Sequence, residues 1–122
     1  MKFTVFFSWA SDLPNATNRT LIQNALTDSI KAINKDENVQ LEVCLDRDTA
    51  GVPGSPPIAD TIFDKILNSN LFVCDVSIIN QEQEGRKTPN PNVLIELGFA
   101  VRHLSWDDIV CVCNTEYGAV EA

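Results

Sequence analysis

Glu96 is the residue around which chemistry can be built. It stands in Asn92-Val93-Leu94-Ile95-Glu96-Leu97-Gly98-Phe99-Ala100, the most apolar helical pattern in the chain. A carboxyl group among apolar side chains is costly unless it is paired or put to use. Val93, Leu94, Leu97, Val101 and Leu104 recur at helical spacing and are expected to form the buried stripe. Glu96 falls at the border of that stripe, about 100° from its centre. Asn92 lies one turn earlier on the same side. Gly98 removes a side chain next to Glu96, which leaves room for a ligand or another backbone. Two readings stay open: Glu96 serves a ligand, or it caps or salt-bridges a neighbouring loop through Arg19 or Arg47.

Further polar groups follow each apolar run. Ser8-Trp9-Ala10-Ser11-Asp12 comes after the first, with Asn15 and Arg19 beyond it. Asp46-Arg47-Asp48-Thr49 comes after the second, then Gly51-Val52-Pro53-Gly54-Ser55. Asp75-Val76-Ser77 ends the third, then Asn80. Trp9 can stack on a base or cover the end of a sheet. Asp75 can bind a ribose hydroxyl or cap the following turn. The loop from Asp46 to Ser55 suits a tight crossover, or a phosphate held at a helix N-terminus. It carries no GxxxxGK[ST], so it is not a Walker loop.

These groups need elements to hold them. Phe3 to Ser8 reads as a strand, and Leu21, Ile22, Ala25, Leu26, Ile30 and Ile33 as one face of a helix from about Thr17 to Asn34. Gln40 to Leu45 reads as a second strand. Ser55 as cap and Pro56 in the first turn open a second helix, with Ile58, Ala59, Ile62, Phe63, Ile66 and Leu67 as its stripe. Leu71 to Val76 is a near-continuous apolar strand. Asn90 caps a third helix, with Pro91 at its first position, running to about Leu104. Ile109 to Cys113 is a fourth strand.

Continuous apolar strands are buried on both faces, as in a parallel sheet covered by helices. The βαβαβαβ order predicts a doubly wound, flavodoxin-like α/β domain over residues 1–122. Such sheets bind ligands beyond their strand carboxyl ends, where the strand order reverses. A five-stranded sheet of this kind wants one more strand and helix, so the chain reads as a truncated domain or the front of a longer protein.

Composition narrows the partners. The net charge of −8 argues against a nucleic acid polymer, whose phosphates need many Lys and Arg contacts. A small phosphorylated ligand needs only a few donors. No apolar run has the length of a membrane span, and the N-terminal run is too short for a signal peptide. Cys44, Cys74, Cys111 and Cys113 form no CxxC pair and His103 is the only histidine, so no metal site is expected. The cysteines read as buried, reduced thiols of a cytoplasmic protein.

Phe6-Phe7-Ser8-Trp9, Ser11-Asp12-Leu13-Pro14-Asn15 and Asn18-Arg19 resemble the start of bacterial TIR-like (Toll/interleukin-1 receptor-like) domains. Asp46 to Ile58, Asp75-Val76-Ser77 and Pro89 to Ala100 resemble the same group, most specifically in Asn-Pro-Asn-Val-Leu-Ile-Glu-Leu-Gly. The resemblance implies an NAD+ glycohydrolase of antiphage defence, with NAD+ as substrate and no separate cofactor. It places the catalytic glutamate at Glu96 and lines the site with Ser8, Trp9, Asp46, Arg47 and Ser77. Asp75 and Asn92 join them from the reading of the residues. It further implies activation by self-association and a fused or associated sensor of cyclic oligonucleotides. The alternatives are a nucleoside 2-deoxyribosyltransferase-like enzyme, which also has a glutamate followed by a glycine on a helix, and a non-catalytic nucleotide-binding or self-associating module.

Overall fold

A computed structural model describes residues 1–47 and 58–118. The strands are β1 (Lys2–Ser8), β2 (Glu42–Arg47), β3 (Leu71–Asp75) and β4 (Ile109–Val112). The helices are α1 (Arg19–Lys35), α2 (Ile58–Leu67) and α3 (Pro91–His103), with short 3₁₀ turns at Asn15–Thr17, Trp106–Asp108 and Thr115–Tyr117. All pairings are parallel and the strand order is β2-β1-β3-β4. This is the flavodoxin-like order, and it reverses between β1 and β3.

Side chains alternate across a strand, so each strand feeds both faces of the sheet. Phe6, Phe72 and Cys74 face α2 and α3, with Ile66, Val93 and Ala100 packed on them. Val5, Phe7, Val43 and Val73 face α1, whose Ile22, Leu26 and Ile30 cover them. Phe63 of α2 stacks on Phe99 of α3 at 4.4 Å between ring centroids, which fixes the two helices against each other. Asn34 clamps the edge strand β2: its side chain donates to Val43 O at 3.0 Å and accepts from Val43 N at 2.9 Å. The amide thus supplies the partner an edge strand otherwise lacks.

Several expectations need correction. The second strand runs Glu42–Arg47 and not Gln40–Leu45. Its register is set by pairing with β1, from Lys2 opposite Glu42 to Phe7 opposite Arg47, and that pairing outweighs the polar character of Asp46 and Arg47. Leu21 and Ile33 are exposed, because α1 turns only the Ile22, Leu26 and Ile30 line to the sheet. On α3 Leu94 is exposed, and Ala100 takes the buried position. A Cβ built on Gly98 meets nothing within 4 Å among the described residues, so no backbone packs closely there and the space beside it is open. The cysteines are not uniformly buried: Cys74 is, Cys44 and Cys113 are half-buried, and Cys111 is exposed on the outermost described strand. The cap at Ser55, Pro56 at the start of α2, and the loop beyond Arg47 lie outside the described residues.

Candidate functional site at the strand carboxyl ends

Local sequence holds α3 in place. Asn90 is its N-cap, and its Oδ1 accepts from Asn92 N at 2.8 Å and Val93 N at 3.3 Å. Pro91 follows at a position where its missing N–H is no loss. The Asn90 Nδ2 donates to Asp12 Oδ2 at 2.5 Å, which ties the start of α3 to the loop after β1. Asn90 is therefore both cap and tether, and it is 5% exposed.

Glu96 follows Val93 by three residues and precedes Ala100 by four, so it shares their face of the helix. Val93 and Ala100 are both fully buried, and Glu96 is half-buried with Oε1 shielded from solvent. Val93 and Ala100 pack in one core cluster with Cys74. Cys74 is level with Ser8 on the adjacent strand. Ser8 follows Phe6 by two residues and so shares its face. Glu96 and Ser8 thus belong to the same side of the sheet, at the carboxyl ends of the two central strands. The Ser8 hydroxyl is buried and has no hydrogen-bond partner among the described residues. Buried polar atoms are nearly always satisfied, so an orphaned one at a strand end marks a place where a ligand group would fit.

The α1 side is built differently. Asp75 is fully buried and both of its carboxyl oxygens are used. Oδ1 accepts from Ser77 N at 3.0 Å and Ser77 Oγ at 2.5 Å, and Oδ2 accepts from Asn18 Nδ2. Ser77 Oγ in turn accepts from Asn114 N at 2.8 Å, and Asn114 Nδ2 donates to Thr17 O at 3.0 Å. The knot joins the start of α1 to the ends of β3 and β4. Of the two readings of Asp75, the geometry is that of the turn cap. Ser77, also fully buried, is spent in the same knot.

Asn18 is the residue that sequence reasoning undervalues. It occupies the N-cap position of α1, yet its side chain makes no capping bond, and Nδ2 instead donates to Asp75. Its Oδ1 is buried without a partner among the described residues. Only the dipeptide Asn18-Arg19 in the family resemblance pointed towards it.

The other predicted residues fall apart from one another. Trp9 packs on the α1 side, with the Arg19 guanidinium 4.1 Å over its ring, so one ring face is already covered. Its Nε1 is buried without a partner among the described residues. Arg47 donates to Gln23 Oε1 of α1 at 3.1 Å. Both guanidinium groups proposed as salt-bridge partners of Glu96 are thus engaged on the α1 side. Asp46 is level with Phe6, pairs with Lys65 at 3.2 Å and accepts from Arg47 N at 2.8 Å. With Lys2, Thr4 and Lys65 it lines a cleft of about 390 Å³ beside β2 and α2. Asn92 is exposed near the start of α3. Among the described residues no cluster of three or more His, Cys, Asp or Glu could hold a metal ion. No described helix is long and apolar enough to cross a membrane.

No family model and no curated protein matches the sequence. Among solved structures, the chain is similar to one described as 2-desoxiribosyltransferase from Leishmania mexicana. The TM-score is 0.51 at 15% identity, covering 98% of this chain and 74% of that one. The likeness is one of fold. It agrees with the flavodoxin-like strand order read from the pairings, and fold alone does not carry activity.

Proposed function

We propose that this chain is an enzyme that cleaves the N-glycosidic bond of a nucleoside or nucleotide, with Glu96 as its catalytic carboxylate. One observation carries the reading: Glu96 lies on the buried face of α3, its Oε1 shielded, on the same side of the sheet as the orphaned Ser8 hydroxyl. Breaking the bond between base and sugar makes an oxocarbenium-like centre at the anomeric carbon. A carboxylate held beside that carbon stabilises the charge or attacks it, and shielding from water strengthens either action. Ser8 is suited to a sugar hydroxyl. Asp75 and Ser77 are left out of the substrate contacts, because both are fully buried and engaged in hydrogen bonds within the protein.

Two substrates fit this chemistry. Transfer of 2-deoxyribose between bases is placed first, because the fold likeness to a protein described as a 2-desoxiribosyltransferase supports it. Release of nicotinamide from NAD+ rests on the sequence resemblance around Asn92 to Gly98, and with it stand self-association and a cyclic-oligonucleotide sensor as partners. The test supplies the purified chain with a deoxynucleoside and a second free base, or with NAD+, and identifies products by chromatography. Base exchange supports the first substrate, and nicotinamide release supports the second. A folded, concentrated protein that turns over neither contradicts the enzyme reading.

A further inference from the structure

Two cysteines stand directly opposite each other in the sheet. β3 and β4 pair with Cys74 level with Cys111, and Cys74 Sγ lies 3.5 Å from Cys111 Sγ. Neighbouring strands run about 4.7–4.9 Å apart, inside the roughly 4.4–6.8 Å between Cα atoms that a disulfide spans. Closing the bond therefore asks for side-chain rotation and little backbone movement.

The two thiols differ in access. Cys111 is exposed, whereas Cys74 is fully buried under α3 with Val93 and Ala100. Cys113 is the next thiol along the chain, but it lines a cleft on the α1 side with Asn18, Ile22 and Asn114. Cys74 is thus the partner that Cys111 meets first.

We propose that Cys74 and Cys111 are a peroxide-sensitive pair that closes to a cross-strand disulfide. Peroxide first oxidises the exposed Cys111 thiol to a sulfenic acid, and one water leaves. The Cys74 sulfur then attacks the Cys111 sulfur. The S–S bond forms, the S–O bond breaks, and the departing hydroxide takes the Cys74 proton as a second water. In total two thiols give two electrons and two protons to one peroxide. Burial raises the Cys74 thiol above the ordinary range, with Cys111, Asp75 and Glu96 adding to the rise, so this second step is the slow one. The bond forms beneath α3, the helix that carries Glu96, so closure changes what that helix rests on. Only this last consequence rests on the proposed function.

The test treats the full 122-residue chain with hydrogen peroxide, blocks remaining thiols in denaturant, and maps unreduced peptides by mass spectrometry. The expected result is loss of two of the four thiols, with the peptide of Cys74 linked to that of Cys111, and full recovery on treatment with a dithiol. Cys111→Ser is expected to leave Cys74 unlinked and alkylated at every peroxide dose. Sulfinic acid at Cys111 with Cys74 still free overturns the proposal, as does a Cys111–Cys113 link. Loss of Cys74 at the same rate in Cys111→Ser overturns it too. If the link forms and Glu96-dependent turnover is unchanged, only the consequence for the site fails.

Discussion

The two sides of the sheet's carboxyl edge hold similar residues and put them to opposite use. On the α1 side, Asn18, Asp75, Ser77 and Asn114 bond one another and tie three elements together, although Asn18 Oδ1 and Trp9 Nε1 stay unmatched among the described residues. On the α3 side, Glu96 and Ser8 share a face of the sheet, and the Ser8 hydroxyl stays unmatched among the described residues. A polar residue at a strand end is evidence of a site only once its bonds are counted. Where the bonds close within the protein, the residue holds the fold. Where they stay open on the same side of the sheet as a shielded carboxyl group, the residue is available to a ligand.

The comparison breaks most visibly at Asp75. Asp75→Ala removes the acceptor of three hydrogen bonds at a fully buried position, leaving Asn18 and Ser77 unmatched. The expected loss is about 3–5 kcal/mol, read from urea unfolding. A loss below about 1 kcal/mol, with turnover abolished, would move Asp75 into the site.

Asn90→Ala tests the tether on the other side. It removes the cap of α3 and the bond to Asp12, at an expected cost of about 2 kcal/mol. Turnover should fall beyond what the unfolded fraction explains, because the start of the helix that carries Glu96 is no longer fixed. A stability loss with unaltered turnover per folded molecule would show that the tether does not position Glu96.

The buried thiol gives a pH signature. Cys74 is raised in the folded protein, first by burial and then by Cys111. The unfolded chain therefore releases this proton at a lower pH than the native one. The contribution is intact below the ordinary thiol range, about 8.5. Above it, stability falls by about 1.4 kcal/mol per pH unit until the folded thiol titrates. Unfolding midpoints at about pH 8 and about pH 10 should diverge less in Cys74→Ala than in the parent. Equal divergence would remove Cys74 as the cause.

The smallest effect is expected at Arg19. Its guanidinium covers Trp9 at 4.1 Å, so Arg19→Ala should cost about 0.5–1 kcal/mol and leave turnover near the parent value. A large rise in KM would instead bring Arg19 into substrate binding.

Much of this arrangement is legible in the sequence. The apolar runs at Phe3–Ser8 and Leu71–Val76 declare central strands because both of their faces are buried. Asn90-Pro91 declares the start of α3 because cap and first-turn chemistry are local. Glu96 stands out because an acid in an apolar helix is conspicuous. What stays hidden depends on pairing between distant segments. Nothing local says that Asn18 forsakes its own helix for Asp75, 57 residues away. Nothing local says that β3 and β4 align Cys74 with Cys111 and leave one of them exposed. The end of β2 shifts for the same reason, because its register belongs to the partner strand.

The most direct measurement is release of free base or nicotinamide by the parent and Glu96→Gln proteins, with urea unfolding of both run alongside. Glu96→Gln is expected to lower turnover about a thousandfold or more, with stability changed by about 1 kcal/mol or less. Equal turnover in two equally folded proteins would contradict the assignment of Glu96 as the catalytic carboxylate.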